Sequence, residues 1–548
     1  MTDSDSPSVL IVGGSLVGLS TAVLLRLHGV DCLVVERHTG TAIHPRAGHF
    51  QLRTVEILRS AGVEESVRRK GEEVYHPDGG INNVESLAGR EIASYFPNLN
   101  AGVAEFSPTV RLFINQDDLE PILRSRAEGL GAELRYRTEC ASLEQDPDGV
   151  TATLRDLETG TEETVRSKYV VAADGNRSPT RGRLGIGMRG HGLLSNSVTI
   201  YFHAEVDLAP LLEGRYQGVN YVTNPVLRGF FRLDRSGNRG FLVVNLVGDT
   251  ARPEMVAAYP DAPWANVAEN ITEQRALELL RAAIGVPDIP VVIEDVAKWR
   301  AEADSAERYQ DGRVFLAGDA AHVVPPNGGF GGNTGVQDAW NLAWKLGLVL
   351  RGAAGPGLLD TYDEERRPIG ELTVEQAYAR YVTRVAPYLG DEGMQPLVDD
   401  FSMEIGYRYN SAAVVLEPGD DRALHQHPRE SKGRPGSRAP HVFVEHEGKE
   451  VSTLDLFGRE FTLLVAPSGE AWRDAVATAA GELGLPLKSH VIAEPEFPAA
   501  YGIAGAGAVL VRPDGVVGWR AIDGTGASPA TAHEVLRKLL CRTDQGGT

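Results

Sequence analysis

One stretch constrains the fold more than any other: Arg313 to Leu346, reading RVFLAGDAAHVVPPNGGFGGNTGVQDAWNLAWKL. Val314, Phe315, Leu316 and Ala317 form an apolar run of buried-strand length that Gly318 and Asp319 end, so Asp319 is expected at a strand tip. The loop that follows holds Pro325, Pro326, Gly328, Gly329, Gly331 and Gly332. Such a composition lets backbone approach a flat ligand and tolerates positive φ. A helix is expected to begin near Asn333 or Thr334, both good N-cap residues. Ala339, Trp340, Leu342, Ala343, Leu346 and Leu350 then fall at helical spacing, so one face of this helix is buried.

The free amides of that helix point back into the glycine loop. A ligand that becomes anionic on reduction is stabilised there, and the isoalloxazine ring of a flavin fits that description. A second anchor lies at the start of the chain. Val9 to Val12 reads as a buried strand, Gly13-Gly14-Ser15-Leu16-Val17-Gly18 as a tight turn, and the residues to Leu27 as a helix. Cys32 to Val35 forms a second strand that ends at Glu36. Strand, turn, helix, strand and acid make a dinucleotide fold, with pyrophosphate at the helix N-terminus and Glu36 on a ribose hydroxyl. Ser15 stands where the fingerprint has its middle glycine and puts a side chain where backbone approaches phosphate.

Between these anchors, Pro45-Arg46-Ala47 reads as a turn and Arg53 to Ser60 as a helix. Arg46 reads either as an arginine beside a redox ring or as half of a structural salt bridge. Asp117 or Asp118 is expected to cap a helix with Leu119, Ile122, Leu123 and Leu130 facing inward, and Gln116 just precedes that cap. Tyr169 to Ala173 runs into Asp174-Gly175, a second turn from strand to acid. From Ser197 to Ile293 the texture is β. Val198, Ile200, Phe202 and Ala204 alternate with Ser197, Thr199, Tyr201 and His203, giving one apolar and one polar-aromatic face able to roof a pocket. Tyr201 and His203 are expected to be ordinary hydrogen-bonded residues rather than acid-base groups. Pro418 to Gly436 reads as a polar linker open to proteolysis. The tail from Ala439 reads as a small α/β unit with a hairpin at Asp514-Gly515 and a structural or dimer-forming role.

At 548 residues the chain is long enough for about three domains. A net charge of −21 argues against nucleic-acid or anionic-membrane surfaces. Cys32, Cys140 and Cys541 have no metal or disulfide spacing, so the cytoplasm is the expected location. Val9 to Leu25 is too short and glycine-rich for a membrane span.

GGSLVG with Glu36-Arg37, the turn at Asp174, and GDAAH with GGFGGNTGVQDAWNLAWKL resemble the FAD-dependent aromatic hydroxylases of the single-component type. The likeness covers essentially the whole chain. The tail, with APH, STLDLFG, YGI and GAVLVRPDGVVGWR, is similar to the thioredoxin-like domain of the phenol hydroxylase branch, and IGYRYNSAAVV points toward hydroxylases of aromatic polyketides. The resemblance implies an α/β fold: an FAD-binding Rossmann-like domain (1–185 and 296–417), an inserted β-sheet substrate domain (186–295), a linker (418–436) and a thioredoxin-like domain (437–548). It implies that Gly13, Ser15, Leu16, Val17, Gly18 and Glu36 hold the ADP part of FAD with Arg37 beside it, and that Arg46 and Gln116 lie near the ribityl chain and flavin. Asp319 would bind the ribityl or pyrophosphate region, Gly332, Asn333 and Thr334 the pyrimidine edge, and Asp174 both FAD and the visiting nicotinamide. Gly332 stands where many relatives carry methionine. The implied reaction uses NADPH or NADH, dioxygen and a flavin C4a-hydroperoxide to hydroxylate a polycyclic phenol or quinone in secondary metabolism. The chain would act as a monomer or homodimer, with no nucleic-acid or membrane partner. Members of the same family insert oxygen beside ketones or form epoxides, and a non-enzymatic flavin-binding role is the other alternative. No substrate-activating base is identified by sequence.

Overall fold

The computed structural model describes residues 6–215, 218–247, 267–269 and 271–542. Part of the expected sheet region, 248–266, lies outside these residues.

Strand β1 (Val9–Val12), helix α1 (Leu16–Leu27) and strand β2 (Cys32–Glu36) form as the pattern of short apolar runs and a glycine turn dictates. β1 pairs in parallel with β2 on one side and with β3 (Tyr169–Ala172) on the other. Beyond β3 lies β8 (Val314–Leu316), and beyond β2 lies Glu133–Tyr136, all parallel; antiparallel Gln310–Asp311 closes one edge. The strand order reverses at β1, which creates a crevice at the strands' C-terminal ends where open α/β sheets bind ligands. Helix α2 (Gln116–Gly129) packs against α1. Its N-cap is Asn115, and Asp117 and Asp118 lie in its first turn, where carboxylates favour the helix dipole.

An eight-stranded sheet stands over this crevice. Its order is His322–Val323, β7 (Val291–Ala306), β4 (Met188–Ala204), β6 (Arg239–Val247), β5 (Leu227–Leu233), Val219–Thr223, Ile81–Val84 and Glu91–Phe96. The sheet is therefore not confined to 186–295. It recruits two strands from before β1's partner β3 and one from the loop after β8, because its outer strands pair across the domain boundary. The apolar face of β4 packs with α3 (Glu273–Ile284) in a core that includes Val198, Ile200, Phe202, Leu242 and Leu280. The polar-aromatic face turns toward the crevice.

Helices α4 (Phe330–Leu350) and α5 (Thr361–Arg384) follow. α4 starts at Phe330, three residues earlier than the N-cap residues suggest, because Gly329 adopts φ +67° and serves as the cap. The tail forms a four-stranded sheet, β10 (Leu487–Val491), β9 (Phe461–Val465), β11 (Ala508–Val511) and β12 (Val517–Ala521), with β9 and β10 parallel and helices Glu470–Leu483 and Pro529–Leu539 on one side. This is the expected α/β unit, and Gly515 carries the φ of +74° that its turn requires.

The stretch expected to be an open linker is instead a strap. Arg408, fully buried, pairs with Asp420 and Asp421, and Arg434 pairs with both aspartates. Arg429 reaches Glu105 in the first part of the chain, and the Gly436 amide donates to Val517 O. Its charged residues form these ion pairs, while Asp421 and Arg429 stay largely exposed. No helix among the described residues is long and apolar enough to cross a membrane.

Candidate active site

The glycine turn is built by close contact. A Cβ on Gly13, whose φ is +106°, would lie 2.3 Å from Ala173 O, and one on Gly18 would lie 1.8 Å from Gly13 O. These glycines let α1 begin directly against the β1–β3 ladder. Glu36 closes the turn from the β2 tip: it accepts from the Gly14 amide at 2.7 Å and from the His38 amide at 2.8 Å. Arg37 is exposed beside it.

Ser15 has a specific partner. Its hydroxyl donates to Glu120 Oε1 at 2.5 Å and accepts from Gln116 Nε2 at 3.0 Å. The same Glu120 carboxylate accepts from the Leu16 amide at 2.9 Å and the Ala42 amide at 2.6 Å. Gln116 in turn exchanges bonds with Ala47: its side-chain oxygen accepts from the Ala47 amide, and its own amide donates to Ala47 O. Serine at the middle position thus ties the glycine turn to the Arg46–Ala47 loop through α2. Glu120 was not singled out from sequence. It is a fully buried acid one helical turn after Gln116, and no local spacing marks it.

The second anchor meets the first at Val17. A Cβ on Gly318 would lie 2.7 Å from Val17 Cγ2, and one on Gly335 would lie 2.5 Å from it. Gly332 faces Leu16 and Ala47, with an added Cβ at 3.0 and 3.2 Å from them. α1, the Arg46 loop and the start of α4 therefore converge on one small volume. Asn333 holds this junction: its Oδ1 accepts from the Gln51 amide at 2.9 Å and its Nδ2 donates to His49 O at 2.9 Å. Thr334 Oγ1 donates back to Phe330 O at 3.1 Å within the helix.

Asp319 follows β8 in a single 3-10 turn and is exposed to the crevice. The surrounding protein nonetheless raises its pKa above the carboxylate norm, with His322 and Arg46 pulling the other way. Beneath it, Asp338 of α4 fixes the turn by accepting from the Gly318 amide at 3.0 Å, His322 Nε2 at 2.8 Å and Arg366 Nε at 2.8 Å. Burial opposes ionisation of Asp338, but Arg366 and His322 outweigh it and hold its pKa below the usual range. Asp174 is engaged locally, accepting from Ser178 Oγ at 2.5 Å and the Thr180 amide at 3.0 Å. Arg181 then links that turn to Ala320 O at 2.9 Å.

The roof supplies what the sequence left unassigned. Tyr201 donates to Pro45 O at 2.9 Å and stacks on His44, which agrees with its expected hydrogen-bonded role. His203 lies 3.5 Å from Glu294 at the sheet edge. Deeper in, Asn327 Nδ2 of the proline-glycine loop and Arg384 Nη1 of α5 approach the Tyr221 phenol oxygen at 3.4 and 3.5 Å. Two donors therefore converge on one buried phenol oxygen.

The crevice fits FAD. Asp319 presents an exposed carboxylate for hydroxyls, Arg46 is an exposed cation with no ion pair among the described residues, and two helix N-termini face the same space. Among the described residues no group of three or more His, Cys, Asp or Glu is arranged to hold a metal.

A dinucleotide crevice at the switch point, roofed by a polar-aromatic sheet, defines a flavoprotein that acts on an aromatic ligand. The FAD binding domain family model matches residues 6–377, and the aromatic-ring hydroxylase C-terminal model matches residues 432–543. The chain belongs to the FAD-dependent aromatic hydroxylases, single-component flavoprotein monooxygenases. It is 56% identical over 545 residues to a 4-methyl-5-nitrocatechol 5-monooxygenase of Burkholderia sp, covering 97% of each chain. It is 40% identical over 555 residues to the tetracenomycin B2 monooxygenase-dioxygenase of Streptomyces olivaceus, covering 98% of this chain and 99% of the relative. A crystal structure of aklavinone-11 hydroxylase with FAD and aklavinone superposes with a TM-score of 0.89 at 38% identity, covering 99% of this chain and all of that one.

Proposed function

We propose that this monooxygenase hydroxylates an electron-rich phenol, of the polycyclic polyketide type, in cytoplasmic secondary metabolism. The observation that carries the reading is the junction itself: the glycine turn, the Arg46 loop and the start of α4 meet directly beneath the polar-aromatic face of the roof. Gly13, Ser15, Leu16, Val17, Gly18 and Glu36, with Arg37, hold the ADP end of FAD. Arg46, Gln116 and Asp319 hold its middle, and Gly332, Asn333 and Thr334 the ring edge. Asp174 supports the turn that meets the cofactor and the visiting nicotinamide. The chemistry supplied by bound FAD is reduction by NADPH or NADH and transfer of one atom of dioxygen to the ring.

The chain's own residues do three things. The roof and the Pro45–Gly48 loop exclude water from the reacting ring. The amides at the start of α4 stabilise negative charge at the flavin edge. Tyr221 relays the substrate's hydroxyl proton, its oxygen taking that proton as its own O–H proton passes on toward solvent, which makes the ring a better nucleophile. A second reading is a single-ring nitrocatechol substrate, favoured by the 56% identity to the Burkholderia relative. Substrate-stimulated NADPH or NADH consumption, measured across nitrocatechols and polycyclic phenols, separates the two. Stimulation confined to polycyclic phenols supports the first reading, stimulation confined to nitrocatechols the second, and stimulation by neither overturns both.

A further inference from the structure

The joint between the flavin-domain helices and the tail encloses a cleft of about 290 Å³ that opens to solvent. Leu27, His28 and Gly29 at the end of α1, with Leu348 and Arg351 at the end of α4, form one wall. Arg459, Glu460 and Phe461 at the start of β9, Pro486 just before β10 and Pro513 after β11 form the other. The glycine turn and the flavin edge lie at the opposite ends of α1 and α4. The 21 residues of α4 put the cleft roughly 30 Å from the start of that helix. It is therefore separate from the crevice.

The apolar walls are fixed by packing. Leu348 and Phe461 belong to the core shared by α4 and the tail, where Phe461 meets Trp344 edge-on with ring centres 5.9 Å apart. The polar lining is less well matched. Arg351 Nη1 donates to His28 O at 2.5 Å, which closes the C-terminus of α1. Neither Arg351 nor Arg459 has a carboxylate within ion-pair distance among the described residues, although Glu460 lines the same cleft. His28 is 6% exposed, and its ring nitrogens have no hydrogen-bond partner among the described residues. Burial first, then the charges of Arg351 and Arg459, push its pKa down to about 3, so it is a neutral imidazole with one N–H to donate.

Exposed arginines are ordinary on a protein surface. These two differ in sharing a walled cleft with a buried, unbonded imidazole, in a chain whose net charge is −21. Helix capping accounts for Arg351 at His28 O and leaves Arg459 without a task. Apolar walls with a few convergent polar groups are the anatomy of a small-molecule site, and the volume stands at the lower end of the range of about 300–1,000 Å³ for such sites. That size suits a ligand with a single ring.

We propose that this cleft is a second ligand site that takes a small organic acid, with its carboxylate between Arg351 and Arg459 and beside His28, and its apolar body on Leu348, Phe461 and Pro486. Guanidinium forks match a carboxylate bidentately, and the His28 N–H adds a third donor. Two arginines against Glu460 leave one net positive charge, which suits a monoanion better than phosphate. Because the walls come from both α4 and the tail, a bound acid stabilises their joint. The inference goes beyond the hydroxylase reading and does not depend on it.

The test uses FAD-loaded full-length protein and three probes: benzoate, benzyl alcohol and inorganic phosphate. Calorimetry should find a benzoate site whose occupation raises the melting temperature and leaves the flavin absorbance spectrum unchanged. Benzyl alcohol keeps the ring without the charge, and phosphate keeps the charge without the ring; each should bind at least tenfold more weakly. Arg459→Gln and Arg351→Gln should each weaken benzoate tenfold or more with FAD content unchanged. Arg459 is exposed, so its variant reports binding even where Arg351→Gln melts early. Benzoate binding that shifts the flavin spectrum and survives Arg459→Gln belongs to the crevice and overturns the proposal. So does wild-type protein that binds no benzoate, and phosphate binding as tight as benzoate overturns the assigned class of ligand. Failure of the hydroxylase reading shows in turnover, whereas failure of this inference shows in spectrally silent binding, so the two are told apart.

Discussion

At the residue scale, the site is held by carboxylates that receive backbone amides. Asp319 is the exception, because its carboxylate faces the open crevice. Asp319→Ala should lose bound FAD while the far-UV signal stays that of a folded protein; tight FAD retention on gel filtration would contradict its role. Ser15 accounts for the one departure from the dinucleotide fingerprint. Ser15→Ala leaves Glu120 with one donor fewer and should cost about 1 kcal/mol of stability, with weaker FAD binding, read by thermal melts with and without added FAD. Tyr221→Phe should keep FAD and substrate binding but divert NADPH oxidation toward peroxide, and an unchanged ratio of product to NADPH would remove Tyr221 from the proton path. The residues of the site are not equally legible in the sequence. Asp319 follows from an apolar run that stops at Gly-Asp, and Glu36 from its distance past the turn. Glu120 and Tyr221 find their partners in segments far away in the chain, through helix packing and sheet register, so no local spacing announces them.

At the scale of elements, periodicity and glycine placement anticipated α1, α2, the strands of the crevice and the two-faced β4. α4 starts three residues before Asn333 because a left-handed glycine caps it in place of the expected asparagine or threonine side chain. The strap at 418–436 departs from the expected linker for a different reason: aspartates that look solvated in sequence pair with Arg408 and Arg434, whose partners are not local in any repeating pattern. The structure therefore reverses the expected order of proteolysis. Mild trypsin or thermolysin should leave 418–436 intact in the native protein, whereas Arg408→Ala should expose it to early cleavage; rapid cutting in the wild type would contradict the packed strap. Removing one partner of this buried pair should also cost about 3–5 kcal/mol.

At the scale of the whole molecule, the tail is joined to α4 and α5 by a buried ionic network. Arg512, in the turn between β11 and β12, contacts Glu365 of α5 at 2.6 and 2.9 Å and Asp514 at 2.5 Å. Lys345 of α4 reaches the same Glu365 at 2.8 Å, and Trp340 of α4 donates to Asp514 O at 2.8 Å. Arg53 likewise donates to Asp514 O from a helix that packs on α4. This placement gives the tail a positioning role for α4, which the sequence left as either structural or dimer-forming. Burial opposes ionisation of Glu365, yet Arg512 and Lys345 outweigh it and hold its pKa far below the reference of 4.5. Asp338 is likewise depressed below 3.8, despite burial, by Arg366 and His322. Groups with depressed folded pKa values contribute stability that is present above their unfolded values and is lost as pH falls toward the folded ones. Stability should therefore decline below about pH 4.5, with α4 and the tail loosening together, and Glu365→Gln should make the unfolding midpoint less sensitive to acid. Separate melting of the two regions between neutral and acid pH would contradict the coupling.

The central claim is that one oxygen atom from dioxygen enters an aromatic substrate bound between the flavin crevice and the polar-aromatic roof. Turnover with NADPH under heavy-isotope dioxygen, on a panel of nitrocatechols and polycyclic phenols, tests it most directly by product mass. The account predicts a phenolic product carrying one labelled oxygen. An oxidised product whose new oxygen is unlabelled, or a labelled lactone or epoxide in place of the phenol, would contradict it.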